Sequence, residues 1–112
     1  MPVQKWSDRI WVAQLVAGAS FHDDMDYLQA RLPARRRAPD IVLDLTAMEY
    51  IDSPGLAQLL VLRRLLIEND ARLRLVGPVD RVWALLLTTG LDKVFEFATD
   101  TTTALTELQI ET

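Results

Sequence analysis

Two short apolar runs, Ile41-Val42-Leu43-Asp44-Leu45 and Leu73 to Val76, enclose a long helical pattern from Pro54 to Asn69. Short apolar runs bounded by turn residues read as buried strands, and strand, helix, strand is the unit from which parallel sheets are built. The second run ends at Gly77-Pro78, which breaks it. Before this unit, Val3 to Trp6 and Ile10 to Ala17 are β-prone and separated by Ser7-Asp8-Arg9, so the chain opens on a hairpin, and Gly18 ends its second strand. His22 to Leu32 carries Met25, Leu28 and Leu32 at helical spacing, with Asp23, Asp24 and Asp26 placed as first-turn acids and Pro33 closing the helix.

Beyond Pro78 the alternation continues. Val79 to Thr89 sets Val79, Val82, Trp83 and Leu86 on one side of a helix that Gly90 is placed to cap. Val94 to Phe97 reads as a last short strand, and Thr101 to Gln109 as a closing helix with Ala104, Leu105 and Leu108 inward and a threonine as its cap. The expected fold is α/β: a mostly parallel central sheet with right-handed crossovers, an antiparallel N-terminal edge hairpin and four helices. At 112 residues the chain is one domain, residues 1–112, without repeat or linker.

Composition narrows the functional classes. No run approaches the length of a membrane span, and Lys5, Asp8 and Arg9 interrupt the segment where a signal peptide would lie, so a cytoplasmic protein is expected. The chain contains no cysteine, which removes disulfides, thiol nucleophiles and thiolate metal sites. A net charge of -4 argues against nucleic acid or anionic membrane as a partner, and Arg35-Arg36-Arg37 reads as a solvated helix end. "HDDMD", residues 22–26, lacks convincing metal-ligand spacing, and His22 reads as a surface or first-turn residue. No cofactor is expected.

The segment "YIDSPGLAQLL", Tyr50 to Leu60, places an acid, a hydroxyl, a proline and a glycine before the leucine-rich helix. Ser53 suits a helix cap and Pro54 the first helical position, while Asp52 and Gly55 fit a tight turn. Along the helix, Leu56, Leu59, Leu60, Leu66 and Ile67 form one apolar stripe, with Arg63 inside it by angle. Val61, Leu62 and Leu65 project elsewhere, either toward a neighbouring element or as a surface for a partner.

Two blocks, "IVLDLTAMEYIDSPGLAQLL" and "LVGPVDRVWALLLTTGLDKVFEF", both in register, resemble the STAS domain of bacterial anti-sigma factor antagonists, a likeness that covers nearly the whole chain. The resemblance implies a STAS fold and a binding module rather than an enzyme. Its partners would be an anti-sigma factor serine kinase, which the unphosphorylated form binds so that the sigma factor is released, and a metal-dependent serine/threonine phosphatase. The matching phosphate acceptor is Ser53, and the contact surface would comprise Asp52, Ser53, Pro54, Gly55 and Gln58, extended by Val61, Leu62 and Leu65. Two positions depart from the family pattern: Pro54 stands where a second Ser or Thr is usual, and Gly18-Ala19-Ser20-Phe21 where Gly-x-Leu-Asp is common, with Asp23 or Asp24 as candidate substitutes for the acid. The alternatives are a STAS subunit that assembles a transporter or signalling complex without phosphorylation, and a phosphoaspartate receiver-like domain. The receiver would need an acid pair where this chain has Gly18-Ala19-Ser20. A serine hydrolase lacks its Gly-x-Ser-x-Gly elbow, and a dinucleotide enzyme its Gly-rich first turn.

Overall fold

The computed structural model describes residues 3–32 and 38–110. The expectations for Pro33 and Arg35-Arg36-Arg37 lie outside that range. The elements are β1 (Val3–Lys5), β2 (Ile10–Gln14), α1 (Ala19–Ala30), β3 (Asp40–Asp44), α2 (Ser53–Glu68), β4 (Leu73–Val76), α3 (Asp80–Thr89), a 3₁₀ turn (Leu91–Lys93), β5 (Phe97–Ala98) and α4 (Thr101–Ile110). The five strands lie in the order β1-β2-β3-β4-β5; β1 runs antiparallel to β2 and the remaining neighbours are parallel. This linear order differs from the 2-1-3-4-5 order of a receiver-like doubly wound sheet.

The apolar run of β3 is buried on both sides because successive side chains enter different cores. Ile41 and Leu43 join Ala13, Leu73 and Leu75 beneath α1, α2 and α3, together with Phe21, Met25, Leu28, Leu59, Leu66 and Leu86. Val42 and Val76 face the other way, onto Ala104 and Leu108 of α4. Asp40 is buried as well; its carboxylate accepts from the Arg72 backbone N–H at 2.7 Å and pairs with the Arg72 guanidinium at 2.9 Å.

Several boundaries move for identifiable reasons. The second strand stops at Gln14, where its pairing with Asp44 ends, rather than running to Ala17. Helix α1 begins at Ala19, directly after Gly18, whose φ of 97° reverses the chain. Asp23, Asp24 and Asp26 therefore lie beyond the first turn, and His22 is its last residue. In place of a strand over Val94 to Phe97, the 3₁₀ turn comes first, Phe95 packs into the core, and only Phe97 and Ala98 pair with β4. Helix α3 starts at Asp80 with Val79 as its N-cap, and Gly90 caps its end in the left-handed conformation. The cap of α4 is Asp100, whose Oδ1 accepts the Thr103 N–H at 2.7 Å, and not a threonine.

Helix α2 carries the correction with most bearing on function. Its buried face is Gly55, Leu56, Leu59, Leu62 and Leu66. Leu60 and Ile67, expected inside, sit roughly 100° around the helix from that face and are exposed. Leu62, expected on a second surface, is fully buried in the main core. The sequence angles were compatible with more than one centre for the stripe, and the positions of α1 and the sheet select one. Val61 remains exposed and Leu65 half-buried.

Candidate functional site at the start of the second helix

The loop after β3 leads to α2, and Asp52, not Ser53, is the residue that caps it. The Asp52 backbone is extended and its Oδ1 accepts the Gly55 N–H at 2.7 Å. Ser53 is the first helical residue and Pro54 follows it in the first turn, where the missing N–H has no partner to lose. Ser53 is exposed, and among the described residues its hydroxyl makes no hydrogen bond. Gly55 is buried; a Cβ there would stand 2.9 Å from Ile51 Cγ1, 3.0 Å from Asp52 Oδ1 and 3.3 Å from a Phe21 ring carbon. Glycine is thus what lets the helix start settle onto α1 and its own cap.

A polar chain crosses from α1 to this point. Nε2 of His22 lies 3.3 Å from Oδ2 of Asp52, and its Nδ1 lies 2.5 Å from Oε1 of Gln58. The Gln58 Nε2 donates to Asp26 Oδ1 at 3.3 Å. Because the Asp26 carboxylate can only accept, the amide nitrogen of Gln58 must face it and the amide oxygen must face His22. His22 then meets acceptors on both ring nitrogens, and only the imidazolium donates to both. The His22 pKa is accordingly raised above 6.5, mainly by Gln58, then by Asp52. Asp52 is held below its ordinary value of 3.8, first by the Gly55 N–H and also by His22.

The site gathers Asp52, Ser53, Pro54, Gly55 and Gln58 at one end of α2, with Val61 exposed on the same helix. Leu62 is not part of that surface. His22 and Asp26 are the residues that sequence reasoning missed. Asp26, rather than Asp23 or Asp24, supplies the acid that α1 hydrogen-bonds to α2. One signal was present: residues 18–27 and 46–58 contain Asp23, Asp24, Asp26, Glu49 and Asp52 but no lysine or arginine, which leaves His22 as their one side chain able to become a cation near neutral pH. Among the described residues no group of three or more His, Asp or Glu side chains is arranged to hold a metal ion, and no helix is long and apolar enough to cross a membrane.

The STAS domain family matches residues 9–104, and the chain belongs to that family. Among solved structures, the crystal structure of a candidate anti-sigma factor antagonist from Thermotoga maritima, TM1081, superposes with a TM-score of 0.79 at 19% identity, covering 96% of this chain and 93% of that one. An RsbS variant from Moorella thermoacetica with a serine-to-glutamate substitution gives 0.80 at 22% identity, with coverage of 96% and 93%. At these identities the likeness establishes the shared fold. No protein of curated function matches the chain in sequence.

Proposed function

We propose that this STAS domain is an anti-sigma factor antagonist which, unphosphorylated, binds an anti-sigma factor serine kinase and so releases the sigma factor. It acts in the cytoplasm by binding rather than by catalysis. Phosphorylation of Ser53 switches it off, and a metal-dependent serine/threonine phosphatase restores it. In the modification, the Ser53 oxygen attacks the γ-phosphorus of ATP, the bond to the β–γ bridging oxygen breaks, ADP leaves, and the hydroxyl proton passes to the kinase or to water.

The observation that carries this reading is the exposed Ser53 hydroxyl, free of hydrogen bonds to described residues, at the first position of α2, directly after the capping Asp52. A phosphate there adds about -1.5 to -2 charges without removing the cap, so the fold survives while a partner seated on the helix start meets a charge it cannot solvate. Around the hydroxyl, Asp52, Pro54 and Gln58 form the proposed contact, extended along α2 by Val61 and the rim of Leu65; Gly55, expected in that contact, is buried and shapes the helix start from beneath. Capture of a kinase from the source cell, followed by incubation with ATP and intact-mass analysis, tests the reading. One added phosphate mapped to Ser53, with loss of binding, supports it. Stable capture of a partner with no phosphate gained would instead favour an assembly subunit, and mapping to Thr46 would overturn the assignment of Ser53.

A further inference from the structure

The proposed acceptor lies in a strongly acidic setting. Asp52 is its immediate neighbour, Asp26 is two hydrogen bonds from His22 through Gln58, and no lysine or arginine occurs in residues 18–27 or 46–58. A phosphate on Ser53 adds to this charge, and like charges at short range oppose it. His22 is already seated against the Asp52 carboxylate, fixed in orientation by Gln58 and packed edge-on against the Phe21 ring at 5.6 Å between centroids.

We propose that His22 is the positioning residue and counter-charge of the Ser53 site: its imidazolium, held between Asp52 and Gln58, offsets the capping carboxylate and makes the phosphorylated state depend on pH. The proposal rests on the reading of Ser53 as the phosphate acceptor and adds its regulation. The titratable groups facing His22 are Asp52 at the start of α2, Asp26 on its own helix, and Tyr50, which lines a small recess with His22 between Gly18 and the loop before α2. The coupling is reciprocal, because a dianion near the imidazolium favours its proton and the proton favours the dianion. As pH rises through the His22 midpoint the counter-charge disappears. Phosphoserine at this position then stands beside an uncompensated carboxylate and is less favoured.

The test needs no kinase. The His22 ring is titrated by NMR in the full chain with Ser53, with Ser53→Ala, and with phosphoserine installed at position 53 by genetic encoding. The expected result is that both ring nitrogens are protonated below a midpoint above 6.5, and that the midpoint rises by about 0.3 units or more with phosphoserine relative to Ser53→Ala, as for a charge added on a solvated surface at the residue next to Asp52. Phosphorus NMR of the same protein should show the second phosphate ionisation at lower pH than in a His22→Gln background. An identical His22 midpoint in the alanine and phosphoserine proteins would overturn the proposal, and so would a phosphate ionisation indifferent to His22→Gln. The first comparison uses no His22 variant, so it stands even where that variant folds poorly. Failure of the kinase experiment with this coupling intact would count against Ser53 as the natural acceptor, while loss of the coupling with Ser53 labelled would count against His22 alone.

Discussion

His22 reaches across thirty residues of chain to place its Nε2 3.3 Å from Oδ2 of Asp52, whose other carboxylate oxygen holds the Gly55 N–H. One carboxylate therefore caps α2 and ties it to α1. The helix start is fixed from two sides, and Ser53 is presented from a rigid base rather than from a free loop.

Stability should follow pH in opposite senses at the two partners. Asp52 has its folded pKa depressed below 3.8, so its contribution is present above the unfolded value and is lost as pH falls through the folded one. His22 has its folded pKa raised above 6.5, so its contribution is complete below that value and is lost as pH rises through the folded one. Melting temperature measured between pH 3 and pH 9 should show His22→Gln removing part of the decline on the neutral-to-alkaline side and also weakening the acid-side decline, because His22 helps to depress Asp52, while the part due to the Gly55 N–H remains.

The cap assignment separates two adjacent residues. Asp52→Ala should cost about 1 kcal/mol in urea unfolding, because the Gly55 N–H loses its acceptor. Ser53→Ala should lie within about 0.5 kcal/mol of the unmodified chain, as for a surface substitution that removes no contact. Equal costs at both positions would refute the assignment.

Neighbouring residues on α2 should behave as opposites. Leu62→Glu places a charge in the core and should leave the chain unfolded or aggregated, and Leu62→Ala should cost about 2–5 kcal/mol. Val61→Glu should leave stability within about 0.5 kcal/mol while weakening capture of the kinase by about tenfold, measured by titration calorimetry on proteins first checked for folding.

Gly77 offers a test of packing between two loops. Its φ is 58°, and a Cβ there would stand 2.5 Å from Thr46 Cγ2. Gly77→Ala should cost more than the roughly 1–2 kcal/mol of the left-handed backbone alone. Thr46→Ser removes the methyl and keeps the hydroxyl that bonds Asp44 Oδ1 at 2.6 Å. In that background the penalty should fall by about 1 kcal/mol, read as the coupling in a double-mutant cycle.

The amino-acid sequence determined the alternation of elements, because a run such as Ile41 to Leu45 has too little polar surface to lie anywhere but inside a sheet, and the spacing of Leu56, Leu59 and Leu66 suits only a helix packed on one side. It also placed the start of α2, since Asp52, Ser53, Pro54 and Gly55 act on one another locally. The tertiary structure alone decided where the buried stripe of α2 is centred: Leu60, Leu62 and Ile67 are equally apolar, and burial depends on which neighbour each one meets. It showed as well that Asp52 and not Ser53 takes the cap, with Gly55 lying against Phe21 where the helix start meets α1. His22 was the least legible residue of all. Its protonation follows from Asp52 and Gln58, which are distant in the chain and come within hydrogen-bond reach only when α1 and α2 pack.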